Sequence, residues 1–130
     1  MIVVDASVVV EVLLRTPASD AIAERVFDPR EALHAPHLMD VEVTQVVRRY
    51  VARGELEPAH GRALVALLAQ LPITRHAHQP LLARIWALRE NLTAYDAAYV
   101  ALAEGLRAPL LTRDKRLASA SGFLASVELI

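Results

Sequence analysis

Short apolar runs alternate along this chain with longer stretches whose apolar residues recur at helical spacing. The run at 1–4 is β-branched and ends at Asp5, and the run at 109–112 is apolar, bounded by breakers and too short for a helix. The predicted strands are residues 1–4, 33–35, 73–75, 109–112 and 125–130. The predicted helices are residues 7–14 with Ser7 as N-cap, 18–27, 38–53, 58–71, 80–90, 94–104 with Thr93 as N-cap, and 114–121.

Strands that alternate with helices predict an α/β fold, in which a parallel sheet is covered by helices on both faces. The stretch 38–71 departs from this alternation because it holds two helices, with Gly54 just past the first. We therefore expect a helical hairpin that projects from the sheet in the middle of the chain. We find no repeat, low-complexity segment or linker, so we expect residues 1–130 to form a single domain.

The composition excludes several classes of site. The net charge is −1, so contact with nucleic acid requires a local basic patch or a bound metal ion rather than bulk attraction. The chain has no cysteine, which excludes disulfides, zinc–thiolate sites and thiol nucleophiles. The N-terminus lacks a basic leader, and no apolar run approaches the length of a bilayer span. We expect a cytoplasmic protein without a membrane partner.

Four acids occupy positions where a carboxylate is unusual unless it has a functional or structural role. Asp5 and Asp114 each follow an apolar strand, and parallel sheets place their ligands beyond such strand ends. Glu42 and Asp96 lie on helix faces that are otherwise apolar, where an acid is costly to bury unless a positive group faces it. Each acid also has a structural explanation, because Asp5 and Asp114 suit turns or helix caps and the other two complement helix dipoles. Their common location at one predicted sheet edge favours a shared site.

Converging carboxylates repel one another and raise one another's pKa unless a cation neutralises them. An all-oxygen acidic site without cysteine suits hard ions such as Mg²⁺ or Mn²⁺, which recruit phosphate as a further ligand. This combination favours metal-assisted hydrolysis of a phosphodiester. The histidines form no convincing ligand set, and we expect surface or core roles for all of them. They are His34, His37, His60, His76 and His78.

Four segments, in this order and spacing, resemble a known family. They are residues 3–7 (VVDAS), 36–43 (PHLMDVEV), 92–103 (LTAYDAAYVALA) and 109–114 (PLLTRD). The chain is similar to the PIN-domain ribonucleases, and within them to the VapC-type toxins of toxin–antitoxin pairs. The resemblance covers nearly the whole chain, and the last two segments are its most specific part.

The resemblance implies a three-layer α/β/α sandwich and an endoribonuclease toxin that depends on Mg²⁺, with Mn²⁺ able to substitute. It also implies a homodimer, a cognate VapB-type antitoxin that neutralises the enzyme, and contact with operator DNA only through that antitoxin. By position, the acidic metal and catalytic cluster is Asp5, Glu42, Asp96 and Asp114. Thr112 and Ser7 match hydroxyl residues beside the last and first acids, for which we expect supporting roles.

RNA requires phosphate contacts, for which arginine is well suited. Arg113 and Arg116 flank Asp114 and are the best local candidates, while Tyr99 is more typical of a core or interface position than of base stacking. A second group late in the helix that carries Glu42 is also compatible with a solvated helix end; it consists of Arg48, Arg49 and Arg53.

The roles of two other acids and the number of metal ions stay open at this point. Glu11 has no decisive helix face, and Asp40 is expected at the surface or behind the site. Some PIN domains carry a further acid shortly after the position of Asp114, where this chain has Lys115 and Arg116, so the resemblance does not decide between one ion and two.

Two alternatives belong to other functional classes. The first is a catalytically silent PIN-like module for dimerisation or partner binding, against which the presence of all four acids counts. The second is a phosphatase or phospho-acceptor domain on a similar sheet. A dehalogenase-type phosphatase would need a second acid at Ser7, and a receiver domain would need paired acids after the first strand.

Overall fold

The computed structural model describes all 130 residues. The strands are β1 Ile2–Val4, β2 Leu33–Pro36, β3 Ile73–His76, β4 Leu110–Thr112 and β5 Val127–Leu129. The helices are α1 Ala6–Leu14, α2 Ser19–Val26, α3 Leu38–Ala52, α4 Pro58–Gln70, α5 Leu82–Ala87, α6 Ala94–Leu106 and α7 Lys115–Ser119. A 3-10 turn at Gln79–Leu81 precedes α5. No helix combines the length and the apolar character needed to cross a bilayer.

The five strands form one parallel sheet in the order β3-β2-β1-β4-β5. The chain moves outward from β1 through β2 to β3, then returns past β1 to β4 and β5. Because parallel crossovers are right-handed, this reversal places α1–α4 on one face and α5–α7 on the other. The contacts agree, since α1 packs against α2, α3 and α4 while α6 packs against α5 and lies across β1, β2 and β4. The predicted three-layer α/β/α sandwich is confirmed.

The first strand lies at the centre of the hydrophobic core. Ile2, Val3 and Val4 are fully buried because β1 has a strand on each side and a helical layer on each face. This burial on both faces explains why β1 and β4 read as continuous apolar runs rather than as alternating patterns. The carboxyl end of β1 therefore delivers Asp5 from the middle of the sheet.

The helical hairpin consists of α3 and α4, which pack against each other and against α1. A β-carbon at Gly61 would lie 2.9 Å from Cγ2 of Val51, so glycine allows the two helices to approach closely. Arg75 ties the base of the hairpin to the sheet. Its guanidinium binds both carboxylate oxygens of Asp40, at 2.9 and 3.0 Å, and donates to three carbonyls at the end of α4 and just beyond it.

Two sequence predictions about local structure are wrong. The helix expected at 80–90 begins as the 3-10 turn and ends at Ala87, because the chain tightens there and buries Leu88. Ser7 is not the N-cap of α1. The helix starts directly after β1, so Asp5 takes the cap position and Ser7 lies in the first turn. The cap expected at Thr93 is confirmed, since its hydroxyl accepts from the backbone N–H of Asp96 at 3.2 Å.

Candidate active site

The carboxyl ends of β1 and β4 lie side by side at the point where the strand order reverses. Open α/β sheets bind ligands outside such a reversal, because the loops that follow the two strands diverge and leave a crevice. Asp5 directly follows β1. Thr112 is the last residue of β4, and Asp114 lies two residues beyond it. The sequence therefore places polar side chains where the sheet geometry opens a cavity.

The Asp5 carboxylate is held by two hydroxyls. Ser7 Oγ donates to Asp5 Oδ2 at 2.6 Å, and Thr112 Oγ1 donates to the same oxygen at 2.8 Å. The hydroxyl oxygens in turn accept from the backbone N–H groups of Arg113 and Asp114, both at 3.0 Å. This network joins the ends of β1 and β4 and leaves Oδ1 of Asp5 without a hydrogen bond from the protein.

Glu42 reaches the same region from α3, and Tyr99 reaches it from α6. The buried Tyr99 hydroxyl donates to Glu42 Oε1 at 2.8 Å across the end of the sheet. Burial raises the pKa of Glu42, the hydrogen bond from Tyr99 lowers it, and the nearby charges of Asp5 and Asp96 raise it again; the net shift is upward. Burial, reinforced by the Glu42 charge, also raises the pKa of Tyr99, so its hydroxyl stays a proton donor. Sequence reasoning did not predict this role for Tyr99.

Asp96 and Asp114 share one cation. The Arg116 guanidinium lies 3.1 Å from Asp96 Oδ2 and 3.3 Å from Asp114 Oδ2. Burial raises the pKa of Asp96, against the lowering effect of Arg116, and the charges of Asp5 and Asp114 add to the rise. Burial also raises the pKa of Asp114, but its hydrogen bonds from Arg116 and from the first backbone N–H groups of α7 outweigh this and lower it overall. Asp114 is thus both a helix cap and a wall of the cavity.

All four acids line one open cavity of about 620 Å³. Ser7, Arg113 and Arg116 also line it, whereas Thr112 lies buried behind Asp5. Glu11, left open by the sequence, lies on the cavity wall with its carboxylate 3.8 Å from Arg113 Nε. Asp40 lies outside the cavity, bound to Arg75.

Two further polar side chains of the cavity wall come from α3: Gln45, which the sequence did not single out, and Arg49, which belongs to the second arginine group. Gln45 and Arg49 follow Glu42 at spacings of three and seven residues, so all three lie on one helix face. The spacing of both residues from Glu42 is the sequence signal that could have identified them. Of the arginine group late in α3, Arg49 faces this cavity while Arg48 lines a separate groove between α3 and α4.

The histidines lie elsewhere, mostly at the β2–β3 edge of the sheet. Nδ1 of His34 and Nε2 of His76 are 2.9 Å apart, and Nε2 of His78 accepts from the backbone N–H of Leu38 at 3.0 Å. His37 packs edge-on against His78, and His60 is exposed on α4. None of the five lines the acidic cavity.

No three acidic or histidine side chains stand close enough together to enclose a metal ion in their present positions. The reason is that the carboxylates are drawn towards separate partners: hydroxyls for Asp5, Tyr99 for Glu42 and Arg116 for the other two. The donor chemistry nevertheless suits a hard cation. The four acids offer only oxygen atoms, Asp5 and Glu42 each keep one oxygen free of protein donors, and a positive group already lies between Asp96 and Asp114.

Comparison with known proteins agrees with this architecture. Residues 2–122 match the PIN domain family. The ribonuclease VapC12 of Mycobacterium tuberculosis is 44% identical over 130 residues, which is 100% of this chain and 99% of VapC12. PAE2754 from Pyrobaculum aerophilum superposes with a TM-score of 0.73 at 21% identity, over 96% of this chain and 81% of that one.

A third similar structure is VapBC2 from Rickettsia felis, solved with a DNA fragment from its promoter. It superposes with a TM-score of 0.71 at 10% identity, over 98% of both chains. At such low identities the two structural matches speak for the fold alone, whereas the family match and the identity to VapC12 cover nearly the whole sequence. The chain therefore belongs to the PIN-domain family and, within it, to the VapC ribonucleases.

Proposed function

We propose that this protein is an endoribonuclease toxin that hydrolyses RNA phosphodiester bonds in the acidic cavity with Mg²⁺, for which Mn²⁺ can substitute. The observation that carries the proposal is that four carboxylates from separate parts of the chain face one cavity: Asp5, Glu42, Asp96 and Asp114. Two of them have raised pKa values because they are partly buried near other acids, an arrangement that stability alone does not favour. The name of VapC12 as a ribonuclease supports RNA as the substrate.

The four acids are the residues that would hold the ion. A bound divalent ion lowers the pKa of an attacking water and stabilises the leaving oxygen. The protein's own contribution is to orient the carboxylates: Ser7 and Thr112 fix Asp5 by one oxygen, and Tyr99 fixes Glu42 by one oxygen. Such outer hydrogen bonds set the direction and basicity of metal ligands.

Arg113 and Arg116 are the proposed phosphate contacts. Both line the cavity and both are exposed. The Arg113 guanidinium donates a hydrogen bond to the backbone oxygen of Ile130 at 2.5 Å, whereas Arg116 is held by Asp96 and Asp114. A guanidinium on the wall of this cavity neutralises the charge of a phosphate and offers paired donors to its oxygens.

The test is cleavage of total RNA by the purified protein in Mg²⁺ or Mn²⁺. We expect cleavage by the wild type, none in EDTA, and a loss of at least about a hundredfold in Asp5→Asn and Asp96→Asn. Asp20→Asn is the matched control, because Asp20 is exposed on α2 and lies outside the cavity. Cleavage that survives EDTA, or that both cavity variants retain, contradicts the proposal.

The alternative of a catalytically silent partner-binding module is favoured by one observation, the lack of three acids already placed around an ion. The two functions differ in a direct binding measurement. An enzyme of the proposed kind binds Mn²⁺ in calorimetry, and Asp96→Asn weakens that binding. A silent module binds its partner, but neither binds the ion nor cleaves RNA.

We further propose that a VapB-type antitoxin neutralises the enzyme by placing a basic side chain among the acids. The position of Arg116 between Asp96 and Asp114 supports this, because it indicates that a guanidinium fits there. We also expect a homodimer, with operator DNA bound only through the antitoxin. If the antitoxin and Mn²⁺ bind together without weakening each other, this mode of inhibition is wrong.

A further inference from the structure

A second cavity, of about 400 Å³, adjoins the acidic one. Asp96 and Arg116 line both cavities, so the two are continuous at that point. The rest of the second cavity is formed by the connection between α5 and α6, with Arg89 and Asn91, and by Ala120 after α7. The wall that holds Asp96 and Arg116 thus extends away from the other three acids as a groove, the α5–α6 groove.

Two arginines line the α5–α6 groove. Arg116 also lines the acidic cavity, and Arg89 lies two residues after the end of α5. The only other acid in the wall besides Asp96 is Glu90, whose side chain is 81% exposed and whose Oε1 is 3.7 Å from Arg89 Nε. An ion pair this long and this exposed holds Arg89 weakly, so a phosphate can replace it.

An exposed aromatic ring lies directly beside this arginine. Trp86 on α5 is 68% exposed, and the guanidinium carbon of Arg89 lies 4.6 Å from the centre of its indole. A hydrogen bond from Arg89 to the carbonyl of Trp86, at 3.1 Å, keeps the two together. The ring lies beside the groove rather than in its wall, and Arg89 covers one of its faces. The exposed remainder of the indole offers a stacking surface for an unpaired base next to a phosphate contact.

We propose that the α5–α6 groove binds the single-stranded RNA segment that flanks the cleaved bond, with phosphates on Arg116 and Arg89 and a base stacked on Trp86. The inference rests on the proposed ribonuclease function and names the form of its substrate. Stacking on Trp86 requires an open base face, so an unpaired segment fits the groove and a continuous duplex does not. Arg89 and Trp86 are binding residues in this arrangement and take no part in the chemistry.

The experiment measures binding in EDTA, so that cleavage plays no part. Trp86 is the only tryptophan of the chain, which makes its fluorescence a direct report on stacking. The probe is a fluorescein-labelled single-stranded RNA of mixed sequence, about twelve nucleotides long, which is within the span of one binding channel. The same strand annealed to its complement is the duplex probe. Binding of the labelled strand is followed by the fluorescence anisotropy of its label. Quenching of the tryptophan emission is measured in a separate titration with the same strand without the label.

We expect the single strand to quench Trp86 and the duplex to bind more weakly without quenching. Trp86→Leu should weaken single-strand binding about tenfold, and Trp86→Phe should restore part of the loss. Arg89→Gln should lower the slope of log Kd against log salt by about 0.7, the value for one phosphate contact on a single strand. Two controls should bind like the wild type: Arg62→Gln on the opposite helical layer, and Leu82→Ala one turn before Trp86.

The proposal is overturned if saturating single-stranded RNA leaves the tryptophan emission unchanged and the Trp86 and Arg89 variants keep the wild-type affinity. If those variants instead alter the mass in sedimentation while RNA affinity stays constant, the exposed ring is a contact between protein chains and the groove assignment is wrong. Failure of the groove is separable from failure of the proposed function, because metal-dependent cleavage by the wild type persists in the first case and is absent in the second.

Discussion

Replacement of Arg116 tests whether the chain carries its own cation at the proposed metal site. The Arg116 guanidinium bridges Asp96 and Asp114 at 3.1 and 3.3 Å, and an ion that binds these acids has to displace it. We therefore expect Arg116→Gln to bind Mn²⁺ more tightly than the wild type, although the same change removes a phosphate contact and weakens RNA binding. Opposite effects on two ligands are not expected from a merely structural residue.

The size of the effect follows from the exposure of the pair. The Arg116 side chain is 71% exposed, so each of its ion pairs contributes at most about 1 kcal/mol and commonly less. Two such pairs at about 0.5 kcal/mol each amount to about 1 kcal/mol, which is about fivefold in the Mn²⁺ dissociation constant. The difference should shrink at high salt because screening weakens exposed pairs.

Isothermal titration calorimetry with Mn²⁺ measures this change directly. The titration is best done near pH 8. Burial raises the pKa of Asp96 and Arg116 counteracts this, so in the variant the pKa rises further and a proton competes with the ion at lower pH. Arg113→Gln is the matched control, since Arg113 binds Ile130 and lies near Glu11 but bridges no two acids. Equal or weaker Mn²⁺ binding by Arg116→Gln would refute the idea of an internal cation.

Four further predictions concern Tyr99, two glycines and His34. Tyr99→Phe removes the hydrogen bond that lowers the pKa of Glu42, so the acidic limb of the pH–rate profile should move to higher pH. Mn²⁺ affinity should fall about tenfold, and an acidic limb at the wild-type pH contradicts the prediction. Gly61→Ala should destabilise the fold by about 1 kcal/mol in urea denaturation, because the new methyl group lies 2.9 Å from a valine of α3. Gly105→Ala on α6, with nothing within 4 Å, should stabilise the fold by about 0.5–1 kcal/mol, and a loss there would be evidence against this packing account. Burial, reinforced by repulsion from His76, lowers the pKa of His34, so the unfolded chain binds a proton at a higher pH than the folded chain does. The free energy of unfolding should therefore fall as the pH drops below about 6.5, by at most about 1.4 kcal/mol per pH unit. His34→Gln should flatten that slope in urea titrations at several pH values, and an unchanged slope would exclude His34 as its source.

The order of strands and helices could be predicted from the sequence because each element carries its own local signal. The strands at the centre of the sheet are short apolar runs with breakers beside them, and α6 has a capping threonine before a strong helical run. The helix expected at 80–90 was predicted too long because its end is not set by a local breaker. The chain turns at Leu88 to bury that side chain in the core, which is a demand of packing rather than of propensity.

The candidate acids could also be predicted, but their partners could not. Asp5 and Asp114 follow strands that the sequence identifies, and Glu42 and Asp96 stand out as acids on apolar helix faces. Nothing local indicates that the hydroxyl of Tyr99 meets a carboxylate 57 positions away, because that contact exists only where α3 and α6 cross the same end of the sheet.

The sequence by itself determined the class of fold and the residue types of the site. Apolar runs that alternate with helical periods require a covered parallel sheet, and the four candidate acids, in a chain without cysteine, favour oxygen ligands for a metal. The tertiary structure decided which groups meet. The reversal of strand order between β1 and β4 brings Asp5 and Thr112 together, and the start of α7 places Arg116 between two acids. These distances depend on how separate elements pack against one another. The pattern of apolar and polar residues within a single segment does not contain that information.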